Sequence, residues 1–541
     1  MHLFSKFPLG YRRFMAIDSF FVFLFVCHLV IAQEQIKLSS LQIEFTSSNL
    51  PIVIIDTNGK NIPDEPKLDA YMGIINNGPN TRNRVTDVFN EYDGFIGIER
   101  RGNASQMFDK KPYLLETRDE QGENLNVSLL GMPEENDWIL RAAYIDKTLL
   151  RDALALEMSR DMGRWASRTR HVEVVLNGDY RGVYILEESI KPDENRVDIV
   201  RMDSSDIAGD NVTGGYIYDI GQTESDFGKR RQLKYPKRDE FQPEQKAYIR
   251  NYDDDFRHVM EQPYYADPQR GYPAWIKVDY FIDEILIQEA CKNSDAYGWS
   301  SHFFKDRLEK LCAGPAWDFD QALSNSTFND GPNYAEWIIT KSDHDDHLRR
   351  NHPPFWRKLF RESGFKRQLV ERWFALRQSV WKTDTIMAII DSTTAYLDEA
   401  QERNFQRWPI LGKELWRSTP GWRQRDTYTK EVDYLKVFLQ NRLDWMDAQL
   451  DQFTDSTANH ASVSDFYLSQ NYPNPFNSET TINYYLPRSQ HVLLALYDPL
   501  GRKVRTLLDR TQEFGYHSFT FRADELASGA VSYTHLTLPT N

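Results

Sequence analysis

The sequence predicts an α+β fold, because strand patterns and helix patterns occupy different parts of the chain. Before Pro243, short alternating apolar runs are separated by turns rich in glycine, asparagine and aspartate. From Pro243 onward, long stretches carry apolar residues every three or four positions, as amphipathic helices do. We therefore predict a β-rich lobe followed by a helical lobe over 50–450, then a linker at 451–464 and an all-β, sandwich-like domain over 465–530.

The strongest local signal in the β-rich lobe is a β-hairpin. Two alternating segments, 171–176 and 182–187, flank an Asn177-Gly178 turn, and this residue pair favours the tight turns of hairpins. A helix is predicted over 146–162, where apolar residues recur at helical spacing. Further strands are predicted at 50–55, 94–101 and 110–116.

The helical lobe and the C-terminal domain have clear periodic patterns of their own. Helices are predicted at 245–260, 278–291, 355–376, 385–401 and 430–450. Strands of the C-terminal domain are predicted at 480–486, 492–498 and 517–521. A cleft between a β-rich lobe and a helical lobe is a common place for a ligand.

The composition bounds the class of protein. Among 541 residues, 40% are apolar and 13% are aromatic, which indicates folded, globular material. The chain has 80 acidic and 65 basic residues, so its formal net charge is −15. A strongly negative protein repels the phosphate backbone, and nucleic acid is therefore not expected as a partner.

The N-terminus has the pattern of a secretory signal peptide. Three basic residues precede an apolar run over 19–32, which has small residues at the positions of a cleavage site. A transmembrane anchor is the alternative, but the run is shorter than the ~20 residues of a spanning helix. We therefore predict a signal peptide over 1–32, a leader segment over 33–49, and no integral membrane span.

The segment 292–325 carries two acidic groups that we expect to lie close together. Asp295 follows a predicted helix, and Asp318 and Asp320 follow a predicted aromatic strand. Asp295 can act as a general base toward a hydroxyl, but it can also simply cap the turn that contains it. Asp318 and Asp320 can reach one cation only if the backbone bends there, and such carboxylates suit magnesium, calcium or manganese better than zinc.

Two cysteines flank this segment. Cys27 lies in the predicted signal peptide, so the exported chain keeps Cys291 and Cys312. In an exported protein they can pair as a disulfide or remain as buried free thiols, and the sequence leaves both alternatives open.

The order of motifs from about residue 50 to 325 resembles the spore coat protein H (CotH) family of atypical protein kinases. The upstream motifs are Arg101-Gly102-Asn103-Ala104-Ser105, Lys110-Lys111-Pro112-Tyr113 and Gly182-Val183-Tyr184-Ile185-Leu186-Glu187. The downstream motifs are Lys292-Asn293-Ser294-Asp295-Ala296-Tyr297, Ser301-His302-Phe303-Phe304-Lys305-Asp306 and Gly314-Pro315-Ala316-Trp317-Asp318-Phe319-Asp320. The resemblance implies a two-lobed, kinase-like fold and transfer of phosphate from ATP to protein hydroxyls.

The resemblance also implies roles for the acidic residues. By position, Asp295 corresponds to the catalytic aspartate and Asp318 to the metal-binding aspartate, with Asp320 as a second candidate ligand. The implied cofactors are ATP and Mg²⁺ or Mn²⁺. Phosphoryl transfer asks the protein mainly for positioning and charge neutralisation, which such a set of residues can supply.

The remaining site residues are expected upstream and in the aromatic motif. The resemblance implies that Lys111, or alternatively Lys110, neutralises phosphate charge and is oriented by a helix glutamate such as Glu157. Trp317 is a candidate for stacking on adenine, although an aromatic side chain there is equally suited to the core. Ser300-Ser301 stands where some relatives have an asparagine for a second metal contact, and serine is the poorer ligand.

Three functions are compatible with the sequence. The first is a secreted atypical kinase that phosphorylates serine or threonine hydroxyls of exported or surface proteins. The second is a CotH-like surface or matrix protein that binds without catalysis. The third is a metal-dependent sugar-nucleotide transferase, because an Asp-x-Asp motif also suits the diphosphate of a sugar nucleotide.

The C-terminal domain resembles the type A sorting domain of the type IX secretion system. The motifs are Gln470-Asn471-Tyr472-Pro473-Asn474-Pro475-Phe476-Asn477, Tyr497-Asp498-Pro499-Leu500-Gly501-Arg502 and Leu526-Ala527-Ser528-Gly529. The resemblance implies export by the type IX secretion machinery of a Bacteroidetes-like bacterium; a plain adhesive β-sandwich is the alternative. Residues 531–541 do not continue the pattern, and we predict that they are a non-native tail.

Overall fold

A computed structural model describes residues 43–102, 104–220, 226–227, 230–341 and 352–458, and the C-terminal segments 467–468, 471, 479–486, 490–498, 502–512, 515–522 and 532–534. The chain divides into two compact units between Trp445 and Met446. Most strands of the first unit precede Pro243 and most of its helices follow it, which confirms the predicted α+β class. The predicted signal peptide lies outside the described residues. Within them, no helix is both long enough and apolar enough to cross a membrane.

The first unit begins with a closed β-barrel. The strands of this region follow the chain as β1 Ser47–Ser48, β2 Ile52–Asp56, β3 Leu68–Ile75, β4 Asn83–Arg84, β5 Tyr92–Arg100, β6 Tyr113–Arg118, β7 Val127–Leu129, β8 Met132–Glu135, β9 Asp137–Arg141, β10 Thr169–Leu176 and β11 Asp179–Glu188, and seven of them form the barrel. The barrel order is β10-β11-β9-β6-β5-β3-β2, and it closes where β10 pairs in parallel with β2. Alternate residues of each strand point inward, and Ile98, Leu115 and Trp138 are among the apolar residues of the core.

The predicted hairpin is confirmed as β10 and β11. The two strands pair in antiparallel register, with Leu176 opposite Asp179. Asn177 and Gly178 between them both have positive φ angles, 51° and 77°, as a tight hairpin turn requires. The sequence therefore determines this part of the barrel locally.

Helices dominate the rest of the first unit. The bounds are α1 Arg151–Asp161, α2 Pro243–Glu261, α3 Val278–Ala290, α4 Ile338–Lys341, α5 Pro354–Arg361, α6 Ser363–Gln378, α7 Thr383–Arg407 and α8 Tyr428–Ala458. Strands β12 Tyr216–Ile220, β13 Arg231–Tyr235, β14 His302–Lys305 and β15 Cys312–Ala313 form a second sheet in the order β13-β12-β14-β15.

Each predicted helix differs in its bounds from the structure, and for two of them a side chain explains the difference. Helix α1 begins five residues later than the predicted start at 146, because the Asp146 carboxylate accepts N–H groups of Thr148 and Arg151 and holds a turn there. The predicted helix at 355–376 is two helices, α5 and α6. Glu362 lies between them, and its carboxylate caps α6 by accepting the N–H groups of Gly364 and Phe365.

The described part of the second unit contains two small sheets. Their strands are β16 Tyr467–Leu468, β17 Glu479–Leu486, β18 Gln490–Tyr497, β19 Lys503–Gln512, β20 Gly515–Arg522 and β21 Ser532–Thr534, in the orders β16-β17-β20 and β19-β18-β21. The predicted linker at 451–464 is helical as far as Ala458, where α8 ends. Residues 532–534 of the predicted non-native tail pair with β18.

Candidate active site

The segment that follows α3 forms a frame for acidic side chains. Helix α3 ends at Ala290, a turn contains Asp295, and β14 and β15 then pair with Phe303 opposite Ala313. After β15, the backbone of Asp318 adopts the left-handed region, with φ 65°. The backbone therefore bends at Asp318, as it must if the carboxylates of Asp318 and Asp320 are to reach one cation.

Asp295 has the environment of a general base. Its backbone N–H donates to Asn293 Oδ1, so the asparagine caps the turn and the Asp295 carboxylate is left for other contacts. Asp295 Oδ2 accepts a hydrogen bond of 2.7 Å from Gln321 Nε2. Burial raises the pKa of Asp295 to about 7, with a further contribution from the negative charge of Asp318.

Asp318 is the centre of the acidic group. Its Oδ1 lies 3.0 Å from Arg141 Nη1, and its Oδ2 accepts a hydrogen bond of 3.2 Å from Ser300 Oγ. Asn293 Nδ2 donates to the backbone oxygen of Asp318 at 3.2 Å, which ties this residue to the turn that carries Asp295. One third of the Asp318 side chain remains exposed, so it can contact a ligand.

Asp320 is a half-buried carboxylate that lacks a donor. Among the described residues, no N–H or O–H group donates to its side chain. Burial, together with the charges of Asp318 and Asp152, raises the pKa of Asp320 well above its usual value. A carboxylate without a donor, beside a second carboxylate, is the oxygen-ligand chemistry that a hard divalent cation prefers. In the described part of the chain, however, no three His, Cys, Asp or Glu side chains are already grouped as metal ligands.

Arg141, at the end of β9, is the cation of this site. Its guanidinium contacts Glu187 at 2.8 Å, Asp318 at 3.0 Å and Asp152 at 3.5 Å. Glu187 is the last residue but one of β11, and Asp152 lies in the first turn of α1. Asp152 Oδ1 also accepts the backbone N–H of Phe319 at 2.7 Å, which fixes the bend around Asp318.

A second arginine stands beside the first. Arg101 and Arg141 both lie over the ring of Trp317, with guanidinium carbons 5.5 Å and 5.0 Å from the ring centroid. Burial and the positive charge of Arg141 lower the pKa of Arg101. Within the described residues, the Arg101 guanidinium forms no ion pair or hydrogen bond. Trp317 thus contacts two arginines, and its stacking on adenine stays a prediction.

The two predicted lysines bind other partners than the acidic group in the part of the chain that the structure describes. Strand β6 begins only at Tyr113, so both lysines lie in the preceding loop. Lys111 Nζ donates to the backbone oxygens of Gln106 and Phe108 in that loop. Lys110 is buried, and neither lysine pairs with a carboxylate among the described residues.

Lys110 instead forms a structural contact. Its Nζ donates to the backbone oxygen of Val183 and, at 2.9 Å, to Asn404 Oδ1. It also lies 4.7 Å from the centroid of the Tyr184 ring. Burial lowers the pKa of Lys110 well below its usual value, because no carboxylate compensates the buried charge.

Glu157 is also remote from a lysine. It lies on α1 and lines a cavity of about 260 Å³ between this helix, β10 and α7. Burial raises its pKa, and no lysine pairs with it in the described part of the chain. Among the described residues neither lysine pairs with Glu157, and Arg141 and Glu187 form the ion pair found beside Asp318.

The sequence interpretation missed Arg141, Glu187, Asp152 and Arg101 as members of the site. Glu187 and Arg101 lie within motifs of the family resemblance, although neither was predicted as a site residue. An arginine at the end of a strand, such as Arg141, has no local sequence signal. Only the pairing of β11 with β9, which places Ile185 opposite Arg141, brings its guanidinium to the acidic group.

Both cysteines of the first unit are buried free thiols. Burial raises the pKa of Cys291 and of Cys312 to about 12. Of the two alternatives that the sequence left open, the structure has the unpaired one.

Comparison with known proteins identifies the family. Residues 98–446 match the family model described as CotH kinase protein, and this range contains Arg101, Arg141 and the acidic side chains described above. A search of curated proteins found no match. Because the family match covers more than half of the sequence, the chain belongs to the CotH kinase protein family, and this membership indicates a protein kinase of the CotH type.

Proposed function

We propose that the protein transfers the terminal phosphoryl group of ATP to serine or threonine hydroxyls of exported or surface proteins. The observation that supports this most directly is the convergence of a half-buried carboxylate, Asp295, with the Arg141–Asp318 pair on one site. Family membership supports the reaction class. Phosphoryl transfer requires a base, charge neutralisation and positioning, and these side chains offer all three.

In the proposed reaction, Asp295 accepts the proton of the substrate hydroxyl. As the hydroxyl oxygen forms its bond to the γ-phosphorus, the bond from that phosphorus to the β–γ bridging oxygen breaks, and its electron pair leaves with ADP. A base with a pKa near the working pH suits this task, and burial brings the pKa of Asp295 to about 7.

A divalent cation fits the carboxylates of Asp318 and Asp320. Asp318 keeps an exposed edge, and Asp320 has no donor that would compete for its oxygens among the described residues. When bound, Mg²⁺ or Mn²⁺ supplies positive charge to the phosphate oxygens. Ser300, which donates to Asp318 Oδ2, holds the orientation of that carboxylate.

Arg101 and Arg141 take the phosphate-binding role that the sequence assigned to lysine. Arg141 is held in place by Glu187 and Asp318, so its direction is fixed before a nucleotide binds. The Arg101 guanidinium forms no ion pair or hydrogen bond among the described residues, which leaves its fork of N–H donors for phosphate oxygens.

The test is phosphate transfer by the purified chain. Labelled ATP, Mg²⁺ or Mn²⁺ and a mixture of exported proteins are incubated with the wild type and with Asp295→Asn and Asp318→Ala. We expect transfer by the wild type and a loss of at least about 100-fold in both variants, because they remove the base and a metal ligand. Asp330→Asn is the matched control, since the exposed Asp330 side chain contacts Asn333 and Lys341 and, among the described residues, no member of the acidic group.

The same preparation separates the other candidate functions. A thermal shift with ATP but no transfer, or no shift at all, favours a CotH-like binding protein. A shift with a sugar nucleotide and not with ATP favours the transferase. The three candidate functions place the same residues around Arg141, so the ligand that the protein binds distinguishes one function from another.

We further propose that the protein is exported, with the signal peptide at 1–32 and the type IX sorting domain at 465–530. The basic and apolar pattern of the N-terminus and the motifs around Gln470 and Tyr497 support this proposal. Fractionation of cells that express the chain with and without 465–530 tests it. We expect the full chain outside the cell or on its surface. We expect the shortened chain to be retained on the inner side of the outer membrane.

A further inference from the structure

Gln321 connects the proposed base to a distant loop. It is buried, and its Nε2 donates to Asp295 Oδ2 at 2.7 Å. Its Oε1 accepts from Arg417 Nη1 at 2.7 Å and from Ser326 Oγ at 3.2 Å. Because two donors face Oε1 and an acceptor faces Nε2, the amide has one favourable orientation.

Arg417 is itself held in a fixed position. It belongs to the loop between α7 and α8, and its guanidinium carbon lies 4.1 Å from the Phe328 ring centroid and 4.0 Å from that of Trp416. Its backbone has a φ of 59°, and its carbonyl oxygen accepts the N–H of Thr327 at 2.9 Å. A non-glycine residue in the left-handed region is often found at functional sites.

The two oxygens of Asp295 differ as a consequence. Oδ2 is bound to Gln321, whereas Oδ1 accepts no hydrogen bond from any described residue. The carboxylate therefore presents one oxygen with free lone pairs and one that is anchored. An anchored carboxylate keeps its rotamer, which matters because a small misplacement of a catalytic group reduces the rate strongly.

We propose that Gln321 is a positioning residue that anchors Asp295 through Oδ2, so that Oδ1 receives the proton of the substrate hydroxyl, and that Arg417 fixes Gln321 in this orientation. The inference rests on the proposed kinase function. It assigns a role in catalysis to the loop between α7 and α8, more than 100 residues after Asp295 in the sequence.

The experiment measures kcat and the KM for ATP in Gln321→Ala, Gln321→Glu, Arg417→Ala and the double variant Gln321→Ala/Arg417→Ala. We expect kcat to fall by about 10- to 100-fold in each single variant, with the KM for ATP within about threefold, because the base acts in the transition state and not in nucleotide binding. Gln321→Glu keeps the size of the side chain but replaces the amide donor by a second carboxylate, which cannot anchor an ionised Asp295.

The double variant gives the sharpest reading. If Arg417 acts on Asp295 only through Gln321, the double variant loses no more activity than Gln321→Ala alone, and the two effects are not additive. Gln368→Ala is the control for a glutamine on an exposed helix face, and Arg423→Ala is the control for an arginine on a tryptophan ring in the same loop. Both controls are expected to keep wild-type kinetics.

Several outcomes would overturn the inference. Wild-type kcat in Gln321→Glu would do so, as would additive losses in the double variant or a change confined to the KM for ATP. The melting temperature of each variant is measured as well, because an unchanged value shows that the loss of kcat does not come from unfolding. Arg417→Lys keeps a donor and is expected to have a higher kcat than Arg417→Ala. A wild type that never transfers phosphate would overturn the proposed function and this inference together, whereas an active wild type with unaffected variants overturns this inference alone.

Discussion

Arg141 Nη1 lies 3.0 Å from Asp318 Oδ1, and this contact joins the last residue of barrel strand β9 to the segment that follows β15. The same guanidinium reaches Glu187 on β11 and Asp152 on α1. One cation therefore holds three carboxylates from three elements that are far apart in the sequence. The geometry of the site depends on this arginine before any nucleotide is bound.

The first prediction concerns the stability that Arg141 provides. Arg141→Met leaves Glu187 and Asp152, which are both buried, without their cation. An uncompensated buried charge costs on the order of 3–5 kcal/mol, so we expect a loss of that size in the free energy of unfolding. Arg141→Lys keeps one charge but not the forked donors, and its loss is expected to be smaller. Urea denaturation followed by circular dichroism measures both.

The control for this prediction is an exposed ion pair. Lys436 Nζ lies 2.7 Å from Asp391, and the two side chains are 30% and 61% exposed to solvent. Exposed pairs contribute about 0–1 kcal/mol, so Lys436→Met is expected to unfold almost as the wild type does. If Arg141→Met were as stable as Lys436→Met, the central position of Arg141 in the acidic group would be refuted.

The second prediction separates the lysines of the loop from Arg101. Lys111 is bound to backbone oxygens of its own loop, so Lys111→Ala is expected to change the dissociation constant for ATP by less than about threefold. Arg101 has an open guanidinium beside Trp317, and Arg101→Ala is expected to weaken ATP binding about tenfold or more. Calorimetric titration with ATP and Mg²⁺ measures binding independently of phosphate transfer. The opposite order of the two variants would restore the lysine as the phosphate-binding cation.

The sequence predicts the parts of the site that follow local rules. The hairpin around Asn177 and Gly178 is encoded by a two-residue turn, and the motif around Asp318 contains the bend that the acidic pair needs. Apolar periodicity predicts the strands of the barrel and most helices, because burial of one face decides both. These features depend on neighbours in the sequence.

What the sequence does not reveal depends on contacts between distant elements. Lys111 resembles a site residue in its motif, yet strand β6 starts two residues later and leaves the lysine bound within its loop. Arg141 has no motif at all, and only the antiparallel pairing of β9 with β11 places it beside Glu187. Arg417 lies 122 residues after Asp295 in the sequence, and no periodic pattern relates the two residues.

The third prediction concerns the two thiols. Because Cys291 and Cys312 are buried and burial raises both pKa values to about 12, little thiolate is present at pH 8. We expect both thiols to react with a thiol reagent about 100-fold more slowly in the native protein than in guanidinium chloride, without added reductant. Titration in denaturant gives the number of free thiols, which is compared with the number in a sample that was reduced before titration. A titre that appears only after reduction would show a disulfide instead.

The fourth prediction concerns Glu284, a buried residue of α3. Its Oε1 accepts from Gln288 Nε2 at 2.8 Å, and burial raises its pKa from 4.5 to about 7, with a small contribution from Asp283. Asp283 itself is paired with Arg164 and Arg372. The native state therefore binds a proton at Glu284 more tightly than the unfolded chain does. The stability that this proton provides is full below pH 4.5 and is lost as the pH rises through 7.

Glu284→Gln is accordingly expected to stabilise the protein at high pH. At pH 8 the wild type must keep a buried carboxylate charged, whereas the amide is neutral and can also donate to Gln288 Oε1, which has no partner in the described residues. We expect a gain of about 1–3 kcal/mol in the free energy of unfolding at pH 8, and a gain below about 1 kcal/mol at pH 5, where Glu284 is protonated in the native state. Urea denaturation at the two pH values measures the difference, with the exposed Glu244→Gln as control. An equal gain at both pH values would show that packing, and not the charge of Glu284, limits stability at this position.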